Sequence, residues 1–427
     1  MKIRPARNRG LRAVGAALAA IGLTAVPQAM APAGAIANSF SWAYIGDTPY
    51  KQVQLDAFPT LTANVNADPD VAFIAHSGDF KGGNDSCSDA QFTQTYGLFS
   101  GFSKPFWYTP GDNDWTDCHR TTNGGSHPLE RLSKVRSMYF SAPSHTTDFG
   151  TAHATLTLNP QSAVAGSDNA TYVENTWFNR QCVTFGNIHT VTSNNGIPNT
   201  IAYSGSGATT DIANYTYSST PAITIAPSLS GYNEATSFPA ETLARKNEAL
   251  ARIAADVRWV DAIFDAAIAS NSEGVFLMMQ AEPLVLATPD FDKTYGDEHR
   301  AIRDEIFARA DSFAKPVIVA HGDGHVYTVT PSYMGHANIT RVENFGSNSS
   351  LDANGNKIEA TSRWLKFTAT CGTAAVFAQV AQVVPQTPVT AVAEGHLALG
   401  LLVSLGAAGA VIALVLTRRR RTGSLIG

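Results

Sequence analysis

What most restricts the fold of this 427-residue chain is a recurring junction, in which a short apolar run gives way at once to glycine, carboxylate, amide and imidazole side chains. Residues 40–45 lead into Gly46-Asp47-Thr48-Pro49, residues 71–76 into Gly78-Asp79-Phe80-Lys81, and residues 106–109 into Gly111-Asp112-Asn113-Asp114-Trp115. Further on, residues 275–279 end at Gln280-Ala281-Glu282 and residues 317–320 at His321-Gly322-Asp323-Gly324-His325. Short apolar runs bounded by turn residues read as buried strands. A lone Gly-Asp pair is ordinary turn chemistry. Repeated after strand after strand, it puts carboxylates at the C-terminal edge of a sheet, where open α/β sheets bind ligands. Many oxygen ligands aimed at one point suit a hard cation.

Between the runs the pattern is helical. In residues 240–269, Leu243, Leu250, Ile253, Val257, Val260 and Phe264 recur at helical spacing, which assigns that stretch and Trp259 to the core. Strands alternating with helices predict an α/β body. Residues 146–239 turn rich in Ser, Thr, Asn and Gly and read as an insertion of loops and short strands, such as residues 182–192. With 44% hydrophobic and 15% charged residues, the chain has the means to build a core and is not of the disordered class. The net charge is -5 and dense basic clusters occur only near the ends, so no nucleic-acid partner is expected.

Those ends define the compartment. Lys2, Arg4, Arg7, Arg9 and Arg12 precede an apolar stretch and then small residues, the pattern of a secretory signal peptide cleaved after Ala31 or Ala37, with 1–37 the preferred extent. Residues 397–416 are apolar and long enough to cross a bilayer as a helix, and Arg418 to Arg421 head the tail 417–427. The body is expected outside the cell, tethered to membrane or wall by a stalk over residues 380–396. Within that stalk, Val384-Pro385-Gln386-Thr387-Pro388 resembles the LPxTG sorting signal of Gram-positive surface proteins. Val384 replaces Leu and Pro388 replaces Gly, so a retained membrane anchor is the expectation. Export favours disulfides. Cys87, Cys118, Cys182 and Cys371 allow three pairings; a Cys87–Cys118 bridge would tie together the loops after the second and third strands.

Taken in order, the junctions resemble the motifs of the calcineurin-like metallophosphoesterases: DxH, GDxxD, GNH(D/E), a lone His and GHxH. The resemblance covers residues 40–329 and implies a two-sheet β-sandwich flanked by helices, a body over residues 38–379, and metal-assisted hydrolysis of phosphate mono- or diesters. It places Asp47, Asp79 and His325 on family metal ligands, with Asp79 as the bridge. The remaining positions depart from the family. Pro49 stands where a His is expected, Asp112 for Asn, Gln280 for the lone His, Asp323 for the first His of the last pair, and Asn113 for the catalytic His. By this resemblance the chain reads as a histidine-depleted variant.

Asp79, Asp112, Gln280 and Asp323 form an all-oxygen set suited to Mg²⁺, Mn²⁺ or Ca²⁺ rather than Zn or Fe. Asn113 can donate a hydrogen bond but cannot shuttle protons. That leaves His321 as the preferred catalytic partner, with His119 and His76 as weaker candidates that strand-end packing also explains. Lys81 and Asn195 are expected on the phosphate ester. Asp117 and Trp115 are expected to wall the pocket or pack beside it, and Glu130 and Arg131 read as solvated surface. A cell-surface protein that binds metal on the same fold without turnover is the alternative.

Overall fold

Strand β1 (Ser39–Ile45) sorts its side chains to two faces. Phe40, Trp42 and Tyr44 join one buried cluster, Ala43 and Ile45 another. That is the two-residue period of a strand covered on both sides. The computed structural model of the chain describes residues 38–150, 153–164, 169–196, 215–217, 223–225, 239–282, 297–346, 360–377 and 379–385. The expected signal peptide 1–37, the apolar span 397–416 and the basic tail lie outside the described residues, as do 386–396 of the expected stalk and much of 197–238.

The architecture is mixed α/β, with two mixed sheets flanked by helices. The five-stranded sheet runs β14-β13-β1-β2-β3. Its parallel strands β1, β2 (Val71–His76) and β3 (Phe106–Tyr108) are extended by β13 (Trp364–Thr370), antiparallel to β1, and β14 (Gln379–Val383), antiparallel to β13. The seven-stranded sheet has the order β11-β12-β10-β9-β6-β5-β4. There β6 (Val183–Asn187), β9 (Gly274–Met278), β10 (Val317–His321) and β12 (Ile339–Glu343) are parallel. β4 (Asn159–Pro160), β5 (Thr176–Arg180) and β11 (Thr328–Pro331) join antiparallel, while β7 (Tyr215–Tyr217) and β8 (Ile223–Ile225) form a separate antiparallel pair.

Aromatic side chains of both sheets fill the layer between them. The Trp42 ring lies 5.0 Å from Phe185, 5.1 Å from Phe276 and 5.2 Å from Phe367. Truncating such a ring to Ala costs about 3–5 kcal/mol. Outside the five-stranded sheet, α1 (Gln52–Ala67), α2 (Asp89–Phe99) and α3 (Pro128–Tyr139) bury Phe58, Phe92, Phe99 and Val135. A single turn, α4 (Thr192–Asn195), follows β6. Outside the other sheet, α5 (Pro239–Ala269) and α6 (Asp297–Phe313) bury Leu250, Ile253, Val260, Phe264 and Ile306. Gly186 permits this close approach, since a Cβ there would stand 2.5 Å from Ile263 Cδ1 of α5.

Residues 146–239, expected to hold loops and short strands, contribute β4, β5 and β6 to the seven-stranded sheet. Phe178 and Phe185 of those strands reach the shared core. One expected segment limit changes. The first residues of the supposed stalk form β14, whose Val and Gln residues pair with β13. Both disulfides form: Cys87–Cys118 joins the loops after β2 and β3, and Cys182–Cys371 joins the start of β6 to the end of β13 in the other sheet. Two disulfides are compatible with an extracellular protein. Among the described residues no helix is long and apolar enough to cross a membrane.

Candidate cation site

Parallel strands deliver their last residues to one edge, and the loops there are tightly bent. Asp47 (φ 52°), Asp79 (φ 59°), Asp323 (φ 71°) and His325 (φ 65°) all occupy the left-handed region. For non-glycine residues this costs roughly 1–3 kcal/mol each, and such strain clusters at functional sites. Asp114 holds two of the loops: its carboxylate accepts from the backbone N–H groups of Asp79 (3.0 Å), Phe80 (2.8 Å) and Gly111 (2.7 Å) and from the Tyr108 hydroxyl (2.6 Å). Burial lifts Asp114 to about 6, against the pull of these bonds. Gly111 is required here, because a Cβ would strike Asp79 Oδ1.

The loops bring Asp79, Asp112 and Asp323 together, one oxygen of each lying within 4.8 Å of the others. Between them sits the amide nitrogen of Gln280, 3.2 Å from Asp79 Oδ2, 3.1 Å from Asp112 Oδ1, 3.0 Å from Asp323 Oδ1 and 3.3 Å from Thr192 Oγ1. An amide has two hydrogens, so Gln280 cannot satisfy all four oxygens at once. Burial, then neighbouring carboxylates with Asp112 foremost, raises Asp79 well above the usual carboxylate range and Asp323 to about 7. A positive charge relieves that repulsion, and the all-oxygen set fits a hard divalent cation.

Asp47 lies beside the cluster. Its oxygens accept from the Asp323 N–H at 3.1 and 3.2 Å, and Oδ1 pairs with His325 Nε2 at 3.2 Å. Burial opposes charge on His325, but the Asp47 carboxylate outweighs it and lifts the imidazole to about 9. The Tyr50 hydroxyl links the two halves, 3.3 Å from Asp47 Oδ1 and 3.2 Å from Asp79 Oδ2. Asn113 donates its backbone N–H to Asp79 Oδ1 (3.0 Å) and its amide to Asp79 Oδ2 (3.0 Å).

No family model matches the chain, and no curated protein matches it. Among solved structures, a chain described as GAP50, the anchor in the inner membrane complex of Plasmodium, is similar with a TM-score of 0.37 and 10% identity over 82% of this chain and 90% of that one. A likeness of that size carries no argument.

The other expected site residues are placed differently. Gln280 lies in the cluster but turns its oxygen to the Thr192 N–H (2.9 Å), so it presents nitrogen rather than oxygen to the carboxylates. Lys81 is buried, with Nζ on the carbonyl oxygens of Gly82 and Asp85 at 3.2 Å each. Asn195 is held from behind, its Oδ1 accepting from Arg252 at 2.6 Å and from the Val191 N–H at 3.2 Å. His76 is buried among Phe99, Phe106 and Tyr108. His119 Nδ1 contacts the Thr116 carbonyl at 2.6 Å.

His321 belongs to a second group. It lies 3.6 Å from Glu282, and these two and Glu343 bring ligand atoms within 4.8 Å of one another. Arg341 fills that group, 2.5 Å from Glu282 Oε1 and 2.6 Å from Glu343 Oε2. The same guanidinium donates to His321 Nε2 at 2.9 Å, while Nδ1 contacts the Gly322 carbonyl at 2.8 Å. Burial and then Arg341 lower His321 to about 3, so it is neutral at physiological pH and its acceptor nitrogen is engaged.

Sequence reasoning missed Tyr50, Asp114 as an anchor, and Arg252. Tyr50 lies three residues beyond Asp47 and carried no motif signal. Asp114 has a trace, since an acidic residue closes the third motif. Arg252 is one of several charged residues in α5, buried as Arg245 and Asp256 also are, and nothing in the sequence set it apart.

Proposed function

We propose that this chain is a hard-cation-dependent phosphoesterase of the calcineurin-like fold, exported and held at the cell surface, acting on small phosphate mono- or diesters. The observation that carries the reading is the meeting of Asp79, Asp112 and Asp323, far apart in sequence, with oxygens within 4.8 Å. Asp79, Asp112 and Asp323 would hold the cation, with Asp47 and His325 flanking it. A divalent ion bound there supplies positive charge for a phosphate oxygen and lowers the pKa of water. Asn113 and Tyr50 orient Asp79 and offer hydrogen-bond donors near it. The Asp114 carboxylate fixes both loops before substrate arrives, which is preorganisation in the sense that matters for charge stabilisation.

A second reading has its own observation. Lys81 and His321 are engaged elsewhere, and the Asn113 amide donates hydrogen bonds but cannot act as a general acid or base. This favours a protein that binds the cation on the same scaffold without turnover. Purified full-length protein supplied with Mn²⁺, Mg²⁺ or Ca²⁺ separates the two. Release of p-nitrophenol from mono- or diester substrates, stopped by chelation and by Asp79→Asn, supports the hydrolase. Cation-dependent melting without release from either substrate supports the scaffold. No effect of any of these cations on melting or on release removes both.

A further inference from the structure

A turn from the Ser/Thr/Asn-rich segment forms one wall of the acidic cluster. In α4, the Ser193 hydroxyl lies 2.7 Å from Asp112 Oδ2 and 2.9 Å from Asp117 Oδ1. The other oxygen of Asp112 is the one that meets the Gln280 amide at the shared point. Ser193 therefore grips Asp112 by the oxygen not engaged there and fixes the direction of the one that is. Thr192 acts alongside, its hydroxyl 2.7 Å from Asp323 Oδ1 and its N–H on Gln280 Oε1.

This geometry is imposed on the turn. Ser193 (φ 53°) and Asn195 (φ 51°) are both left-handed. Arg252 of α5, buried, holds the turn through Asn195, with Nη1 on Asn195 Oδ1 (2.6 Å) and on the His189 carbonyl (2.7 Å), and Nη2 on the Asn195 carbonyl (2.6 Å). Side chains that bond to metal-ligating carboxylates are known to set ligand orientation, and their loss costs about 10–100-fold in affinity.

We propose that Ser193 is a positioning residue of the cation site, held by the Arg252–Asn195 latch, so that this turn sets how tightly the carboxylates bind a cation. The inference rests on the cation-binding reading above and adds a residue outside the motifs.

The test titrates Mn²⁺ into the full-length protein by calorimetry and records melting in EDTA. Ser193→Gly removes the hydroxyl while accepting the left-handed backbone without strain. It is expected to bind Mn²⁺ about 10–100-fold more weakly, with an EDTA melting temperature no lower than wild type. Ser193→Asn tolerates the same backbone and restores a donor, and is expected to recover part of the affinity. Asp79→Asn is the control and loses binding. If Ser193→Gly binds Mn²⁺ as tightly as wild type while Asp79→Asn does not, the inference is overturned and the cation reading stands. If Ser193→Gly melts lower in EDTA and Ser193→Asn recovers no affinity, Ser193 is structural only and the inference also falls. If wild type binds neither Mn²⁺ nor, titrated in the same way, Mg²⁺ or Ca²⁺, both fall together.

Discussion

The group Asp79, Asp112 and Asp323 and the group Glu282, His321 and Glu343 each bring three ligand-type side chains within 4.8 Å, yet their electrostatics are opposite. Arg341 already lies among the second group, bonded to all three members. On the first, the donors are the Gln280 and Asn113 amides, the Tyr50, Thr192 and Ser193 hydroxyls and the Asn113 backbone. Converging carboxylates alone do not make a cation site. What separates the two is whether the protein has already supplied the positive charge.

The sharpest way to break this contrast is to exchange the losses. Asp79→Asn should weaken Mn²⁺ binding by at least about 100-fold in calorimetry, because a carboxylate facing the shared point is gone. Arg341→Met should leave that affinity within about threefold of wild type. It should cost about 3–5 kcal/mol in urea unfolding, because it strands Glu282 and Glu343 without their partner. Equal loss of affinity in both variants would erase the distinction.

The disulfides sharpen it next. Replacing either pair by Ala should cost about 2–4 kcal/mol of stability. Only removal of Cys87–Cys118, which joins the two loops bearing Asp79 and Asp112, should also weaken Mn²⁺ binding. Cys182–Cys371 links strand ends of the two sheets, and its loss should leave affinity unchanged.

A smaller effect distinguishes the groups by pH. Asp323 is raised to about 7 by burial and then by Asp112. A carboxyl raised on folding contributes stability that is complete below its unfolded pKa and is lost as pH rises through the folded value. In EDTA, Asp323 should therefore lower stability between about pH 4 and 7, by at most about 1.4 kcal/mol per pH unit. His321, lowered to about 3 by burial and then Arg341, behaves in the opposite sense. Its contribution is complete above about pH 6.5 and is lost as pH falls towards 3. Asp323→Asn should flatten the first slope and His321→Gln the second. Mn²⁺ should bind more tightly from pH 5 to 7, since protons compete for Asp323.

The smallest effect concerns Lys81. Its Nζ braces the 82–85 turn, so Lys81→Met should lower stability by about 1–3 kcal/mol. Mn²⁺ affinity, and KM for any ester turned over, should be unchanged.

Much of this was legible in the sequence where apolar runs and strand ends coincide. β1, β2, β3, β9 and β10 are runs of Val, Ile, Phe and Trp covered on both faces, and the carboxylates that follow β2, β3 and β10 do converge. β13 was harder to see, because Lys366 and two threonines break up its apolar residues and no motif follows it. β14 shares the composition of a stalk and becomes a strand through pairing with β13. Side-chain direction was not legible at all. Whether Gln280 offers oxygen or nitrogen depends on the Thr192 N–H, and where Lys81 points depends on the turn it braces. Both partners come from the fold rather than from the motif.

The central claim is that Asp79, Asp112 and Asp323 bind one hard divalent cation. Calorimetric titration of the full-length protein with Mn²⁺, Mg²⁺, Ca²⁺ and Zn²⁺, beside Asp79→Asn, Asp112→Asn and Asp323→Asn, tests it most directly. The account expects one cation per chain among the first three, with affinity lost in each variant. Stoichiometric Zn²⁺ with no response to the hard cations, or binding that survives in all three variants, would contradict it.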